Sequence, residues 1–308
     1  MRNTLTEINK LAKNNPKEFI RVCDDEYVKN IIDIAKKIAD NDDIKIVAIA
    51  GPSGSGKTTT AHILREKLEN LDEKTSVVSL DDFYLPTDKL PLLPDGSLDI
   101  ESVNSLDISL IKDCFTQIIK NGKASLPRYD FKTKEQILNA NDIDIGNRGI
   151  IIVEGLHALN PLIADLVPRK NILKIYISVN RSVDDNDGVQ MLSSRQIRLI
   201  RRVLRDDQFR GATATKTLLL WNNVIEGERK YLYCFKDTAD VQLVTFHPYE
   251  LGVYRERFGK MRNTVEKNAP CYDYFMKTAN ALERFEDIDN ALVPKDSLIR
   301  EFIGGLEL

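Results

Sequence analysis

Eight residues, Gly51-Pro-Ser-Gly-Ser-Gly-Lys-Thr58, constrain this chain more than any other segment in it. They satisfy the pattern GxxxxGK[ST], and the flanking sequence gives the pattern its force. Before them, Ile44–Ala50 is β-branched and apolar and reads as a buried strand; after them, Lys57–Asn70 reads as a helix. A strand, a glycine-rich turn and a helix in that order let successive backbone N–H groups turn inward around phosphate oxygens, where a Cβ would clash. The helix adds its positive N-terminal dipole to the same anion. Gly51, Ser53, Gly54, Ser55, Gly56, Lys57, Thr58 and Thr59 are therefore the expected nucleotide-binding residues. Lys57 would reach the β- and γ-phosphates and the Thr58 hydroxyl would ligate Mg²⁺. ATP with Mg²⁺ is the expected ligand, since no NKxD-type segment is present to read guanine.

Further strands are expected at Thr75–Leu80, Gly149–Val153, Ile172–Ser178 and Val241–Phe246, with helices at Tyr27–Asp40, Ile108–Asn121 and Met191–Asp206. Strands alternating with helices favour right-handed βαβ units, hence an α/β fold with a mostly parallel sheet flanked by helices, the P-loop NTPase arrangement. Residues 85–105, rich in Pro, Asp and Ser, read as an exposed excursion from that sheet. The expected division is a helical extension over 1–40 and a P-loop domain over 41–308, with a lid at about 190–217.

With 44 basic against 47 acidic residues the net charge is −3, so there is no global attraction to nucleic acid or to an anionic membrane. Any anion site must be built locally. The four cysteines, Cys23, Cys114, Cys234 and Cys271, lack metal-binding spacing and read as thiols of a reducing compartment. The first ten residues lack the apolar core of a signal peptide, and the longest apolar runs suit strands. A cytoplasmic protein is expected.

In open parallel sheets ligands gather beyond the carboxyl ends of the strands, and two further strands deliver acids there. Ile150–Val153 ends at Glu154, the expected partner of Thr58 at Mg²⁺. Thr75–Leu80 ends at Asp81-Asp82. Phosphoryl transfer to an alcohol needs a carboxylate to orient the hydroxyl and take its proton. Asp81 is the choice for that base; Asp82 could cap the following turn, and the residues alone do not separate the two.

Six arginines, Arg195, Arg198, Arg201, Arg202, Arg205 and Arg210, crowd into sixteen residues. On a helical wheel the first five lie opposite Leu192, Leu199, Ile200, Val203 and Leu204. Without interleaved acids they would repel one another unless something anionic faced them. A lid hinged near Gly211, closing over ATP and clamping the transferring phosphoryl, fits that charge.

Several blocks, GPSGSGKTT, SLDDFY, LPRYDFKTKE, IIIVEGLHALN and RLIRRVLRDDQFRG, occur in the order of the uridine kinase/phosphoribulokinase group. Later blocks, Trp221-Asn-Asn-Val-Ile-Glu-Gly-Glu, Tyr249-Glu-Leu and Ile299-Arg-Glu-Phe-Ile-Gly-Gly, are more similar to the long uridine-kinase-related nucleoside kinases. The resemblance spans about residues 26–308, without the N-terminal region, similar to parts of threonyl-tRNA synthetases, that precedes the kinase in those relatives. It implies that Asp81 activates a nucleoside 5′-hydroxyl, that Tyr84 lies beside the substrate and that Asp99 holds ribose hydroxyls. It further implies that Tyr129 and Phe131 line a nucleobase pocket, and that Arg202, Arg205 and Arg210 meet the triphosphate, the first two with a catalytic role. Two positions depart from the short uridine kinases: Lys134 stands where they carry a base-selecting histidine, and Ala212 where they carry another lid arginine. His62, His157 and His247 are expected to be structural.

The resulting expectation is an ATP-dependent kinase acting on the 5′-hydroxyl of uridine or cytidine. Its partner is a small nucleoside, with neither nucleic acid nor membrane involved and a homo-oligomer left open. The alternatives are a kinase of another small alcohol, such as a sugar phosphate, and a module that senses ATP without turnover.

Overall fold

A computed structural model describes residues 3–131, 133–146 and 148–307. Two helices open the chain, α1 (Leu5–Asn14) and α2 (Pro16–Ala39), the second started by Pro16 in its first turn and capped by the Asn15 side chain. Next come β1 (Ile46–Ala50), α3 (Lys57–Glu69) and β2 (Thr75–Ser79). Irregular chain with short 3₁₀ turns leads to α4 (Ile108–Asn121), β3 (Lys123–Asp130), β4 (Glu135–Asp144) and β5 (Ile150–Glu154). After α5 (Pro161–Ala164) and β6 (Ile172–Ser178) follow a small ribbon of β7 (Val183–Asp184) and β8 (Gln190–Leu192), then α6 (Ser194–Phe209) and α7 (Ala214–Tyr231). The chain ends with β9 (Val241–Val244), α8 (Glu250–Lys260), α9 (Tyr272–Leu282) and α10 (Arg300–Ile303).

The sheet has the order β2-β5-β1-β6-β9, and every pairing is parallel. Crossover helices cover both of its faces, so β1 and β5 are buried along their whole length, which is why they read as unbroken apolar runs. Alternate residues still divide between two cores. Val47 and Ile49 of β1, with Ile150 and Ile152 of β5, join α2, α3, α6 and α8. Ile46, Ala48 and Ala50, with Ile151 and Val153, join α4, α5 and the base of β3. The α1–α2 pair belongs to the first core, and the Tyr27 hydroxyl lies 2.7 Å from the Thr60 hydroxyl on α3.

Two expectations are corrected. Residues 191 and 192 do not begin the arginine helix; they belong to β8, whose Gln190 and Leu192 pair with β7, and a capping box between Ser193 and Gln196 starts α6 at Ser194. A β3–β4 hairpin was not expected at all. Its register slips between Leu126 and Arg128, where Pro127 has no N–H to offer, and most of β4 is exposed. The hairpin stands off the body beside the end of β2 and brings Tyr129 and Phe131 to the cleft.

Candidate active site

The loop after β1 wraps the N-terminus of α3. Gly54 and Gly56 both have positive φ, at 74° and 86°. A Cβ at Gly54 would come within 2.9 Å of the Arg198 carbonyl oxygen, and one at Gly56 within 2.8 Å of Leu298. The cradle is thus pressed from outside by α6 and by the C-terminal segment, and only glycine fits at either place. Lys57 Nζ lies 3.0 Å from the Gly51 carbonyl oxygen and 3.5 Å from that of Pro52. Burial pulls its ammonium below the usual lysine range, against the opposing pull of Glu154 and Asp81. The Ser55 hydroxyl is buried in the loop with no hydrogen-bond partner.

At the end of β5, buried Glu154 accepts hydrogen bonds from the Thr58 hydroxyl at 3.3 Å and from the Ser79 hydroxyl at 3.0 Å. Burial raises its carboxyl to about 7, with Lys57 opposing and Asp81 adding to the rise. Thr58 and Glu154 offer the hard oxygen ligands that Mg²⁺ takes, and among the described residues no three acidic, His or Cys side chains converge to cage an ion. That donor set suits a cation completed by phosphates and water. Asp81 follows β2 in a 3₁₀ turn, Leu80–Phe83, where its N–H donates to the Ser79 hydroxyl at 3.3 Å. Its side chain is exposed to solvent. The surrounding protein raises its carboxyl above the usual range, while Lys57, Arg210 and Arg205 pull the other way. Asp82 caps no turn; it accepts the Tyr129 N–H at 3.3 Å and so ties the hairpin to β2.

The six arginines divide by role. Arg198 is buried; it donates to Glu228 on α7, to the Ser53 carbonyl at 2.9 Å and to the Tyr233 hydroxyl at 2.9 Å. Arg201 is fully buried in a two-pronged pair with Glu250 at 2.6 and 2.9 Å, and also donates to the Gly54 carbonyl at 3.2 Å. The expectation of a stripe without acids is therefore wrong. Glu228 and Glu250 neutralise its inner members, and buried Asp206 stands among Arg202 (3.5 Å), Arg205 (2.8 Å) and Arg210 (3.6 Å). The first half of α6 is a wall bonded to the phosphate loop. Arg202 also donates to the Ser53 hydroxyl at 2.6 Å, and Arg205 and Arg210 are the arginines that Asp81 feels. Arg195 is exposed and has no such position.

Across the cleft, Tyr84, Tyr129 and Phe131 form one aromatic group, with ring centroids 5.6, 6.3 and 4.9 Å apart. Tyr84 packs against the second core, whereas Phe131 is 63% exposed. Asp99 accepts from the Tyr231 hydroxyl at 3.3 Å, and Tyr84 of that aromatic group donates to the carbonyl of the next residue, Ile100, at 3.1 Å. Lys134 is exposed in the hairpin turn with φ 60°, and Ala212 donates its N–H to the Asp206 carbonyl at 3.1 Å. Ser79, Glu101, Asp206, Glu228, Glu250 and Glu301 were not anticipated as parts of the site. Ser79, Glu228, Glu250 and Glu301 carry no sequence signal because each acts through a partner distant in the chain, whereas Asp206 lies inside the arginine segment itself, within four residues of Arg202, Arg205 and Arg210.

A parallel sheet with a phosphate cradle at its central strand, acids at the adjoining strand ends and arginines above defines a P-loop phosphotransferase. The chain belongs to the Phosphoribulokinase / Uridine kinase family, whose model matches residues 46–251. It is 27% identical over 197 residues to a uridine kinase of Lactobacillus johnsonii, covering 60% of this chain and 82% of that one. A uridine kinase of Staphylococcus aureus is 31% identical over 190 residues, 58% of this chain and 77% of that one. A solved structure of a possible uridine kinase from Bacillus stearothermophilus superposes with a TM-score of 0.47 at 18% identity, covering 70% of this chain and 98% of that one. The protein is accordingly a phosphotransferase with an alcohol group as acceptor, and kinases of this family use ATP with Mg²⁺. No helix among the described residues is long and apolar enough to cross a membrane.

Proposed function

We propose that this chain transfers the γ-phosphoryl group of ATP to the 5′-hydroxyl of uridine or cytidine. The observation that carries this reading is Asp81, a carboxylate open to the cleft and set among Lys57, Arg205 and Arg210, with the aromatic group of Tyr84, Tyr129 and Phe131 alongside. In the proposed reaction Asp81 orients the acceptor hydroxyl and takes its proton. The acceptor oxygen bonds to the γ-phosphorus as the bond to the β–γ bridging oxygen breaks, and that electron pair leaves with ADP. The amides of residues 54–59 and Lys57 hold the phosphates, and Arg202, Arg205 and Arg210 face the charge that develops on the transferring group. Thr58 and Glu154 would hold Mg²⁺, which draws charge from the phosphate oxygens. Asp99 would take ribose hydroxyls, and Tyr129 and Phe131 the flat face of a base.

The reading takes 41–308 as the kinase domain, with 1–40 as a helical extension on it and about 190–217 as the lid region, within which Arg198 and Arg201 are tied to Glu228 and Glu250 and buried Asp206 pairs with Arg202 and Arg205. It includes a cytoplasmic location and a small-molecule partner. The test is an acceptor screen with purified protein, ATP and Mg²⁺, measuring ADP release with nucleosides and with sugar phosphates. Release well above that in water alone for uridine or cytidine is expected. Release only with a sugar phosphate would reassign the acceptor, and ATP binding without stimulated release would make the protein a sensor.

A further inference from the structure

Three consecutive carbonyls of the phosphate loop are each held by a side chain from elsewhere in the fold. The Ser53 carbonyl accepts from Arg198 Nε at 2.9 Å, the Gly54 carbonyl from Arg201 at 3.2 Å, and the Ser55 carbonyl from the Thr245 hydroxyl at 2.7 Å. A trans peptide unit points its N–H opposite to its C=O, so a carbonyl drawn outward turns the next residue's N–H inward. The Ser55 N–H closes the loop on the Pro52 carbonyl at 3.1 Å, while those of Gly54 and Gly56 donate to no described residue. Ser53 is held most completely. Its N–H donates to Glu228 at 2.8 Å, its carbonyl accepts from Arg198, and its hydroxyl accepts from Arg202 at 2.6 Å. Arg198 and Glu228 form a buried ion pair, bridged by the Tyr233 hydroxyl, which accepts from Arg198 at 2.9 Å and donates to Glu228 at 3.0 Å.

We propose that Arg198 and Glu228 are positioning residues for phosphoryl transfer. By gripping both main-chain groups of Ser53 they aim the Gly54 N–H into the cradle, and they fix the Ser53 hydroxyl on which Arg202 is docked. Neither touches a substrate. The Ser53 N–H faces a carboxylate and is closed to phosphate, so the anion-binding amides begin at Gly54. Apolar side chains of similar volume often replace a buried ion pair without loss of stability, so burial alone gives this pair no purpose. Apolar side chains could not hold a peptide N–H and C=O. A donor aimed before charge develops on the transferring group needs no reorganisation during the reaction, which is what makes the aim worth fixing. The proposal rests on the phosphotransferase reading above but not on which alcohol is the acceptor.

The test compares the full-length protein with R198K and R198M/E228M. Calorimetry measures Mg-ATP binding, and ADP release is followed with uridine, cytidine and a pentose phosphate as acceptors. R198K keeps the charge facing Glu228 but loses the planar fork that meets Ser53, Glu228 and Tyr233 together. It should bind Mg-ATP about tenfold more weakly, the scale of one hydrogen bond to a charged group, at unchanged stoichiometry. Its kcat should fall about 10- to 100-fold, the scale of a small misplacement, with the acceptor KM within about twofold of wild type. R198M/E228M removes both charges at similar volume, and should show both losses at least as strongly while keeping a Tm near that of wild type. If both variants bind Mg-ATP with the wild-type Kd and turn over at the wild-type rate per bound nucleotide, whatever their Tm, the pair is only structural and the proposal fails. An acceptor KM that rises as much as ATP binding weakens would also overturn it, since that marks a general distortion. If no acceptor stimulates ADP release in the wild type but R198K still binds Mg-ATP about tenfold more weakly, the pair sets the loop and the kinase reading alone falls.

Discussion

The Thr59 hydroxyl, in the first turn of α3, donates to the Glu301 carboxylate of α10 at 2.5 Å. A side chain from near the C-terminus thereby places a negative charge at the very helix end that the phosphates of a nucleotide should occupy, and Lys57, Glu154 and Arg210 all feel it. The expected consequence is competition. E301Q should bind ATP about two- to fivefold more tightly than wild type, the scale of a partly exposed charge pair, measured by calorimetry with Mg-nucleotide. Weaker binding in E301Q would mean instead that the carboxylate holds part of the nucleotide.

Asp81 yields a prediction about the chemical step. D81N should lower kcat by about 10² to 10⁴, the usual range for a positioned acid or base, with ATP affinity within about twofold of wild type. The base must be ionised to act. Because the protein crowded around it holds the Asp81 carboxyl above the ordinary range although the side chain still meets solvent, kcat/KM of wild type should fall as pH drops through that raised value, and the residual rate of D81N should not follow it. Unchanged turnover in D81N would remove Asp81 from the reaction.

Glu154 yields a prediction about stability and pH. Its folded carboxyl is raised from 4.5 to about 7, so the contribution to stability is full below 4.5 and is lost as pH rises through 7. Other buried groups act in both senses over this range: Asp24 and Glu101 are also raised, whereas His157 and His247 are lowered and favour folding at higher pH. The clean readout is therefore a difference. The Tm of E154Q minus that of wild type, both free of nucleotide and Mg²⁺, should grow more positive from pH 4.5 to about 7.5 and shrink once Mg-nucleotide is added to both. A gap that is constant with pH would show that this carboxylate is not strained by burial.

What could be read in advance was whatever announces itself locally. The buried strand, glycine loop and helix from Ile44 to Asn70, and the acids closing β2 and β5, are contiguous patterns whose chemistry needs no distant partner. The β3–β4 hairpin was illegible because Glu135–Asp144 is rich in Asn and Asp and mostly exposed, so it lacks the apolar alternation that marks a half-buried strand. Arg198 and Arg201 were misread for a different reason. A helical wheel shows which residues share a face but not what covers it, and here the covers are Glu228 and Glu250, 30 and 49 residues downstream.

The Arg201–Glu250 pair should accordingly matter to folding before it matters to catalysis. Both side chains are fully buried, and the guanidinium also holds the Gly54 carbonyl and Thr245. E250A leaves a buried cation without its counter-charge and should cost about 3 to 5 kcal/mol in urea unfolding, whereas R195A, on the exposed side of the same helix, should cost little. Equal costs for the two would mean that the buried pair is no more important than a surface charge.

Phe131 separates recognition from stability most directly. At 63% exposure it contributes little to any core, so F131A should move the Tm by no more than a surface substitution does. Its ring stands 4.9 Å from that of Tyr129 and 6.3 Å from that of Tyr84, in the geometry of an aromatic group waiting for another flat ring. Losing that stacking surface should raise the KM for a nucleoside about five- to tenfold, the scale of one aromatic contact, with kcat nearly unchanged because the ring is on the acceptor side, away from the phosphates. A sugar phosphate, having no base, should show no such change. An F131A enzyme with unaltered nucleoside KM would leave the aromatic group without a role in choosing the acceptor, and the preference for a base would have to come from elsewhere in the cleft.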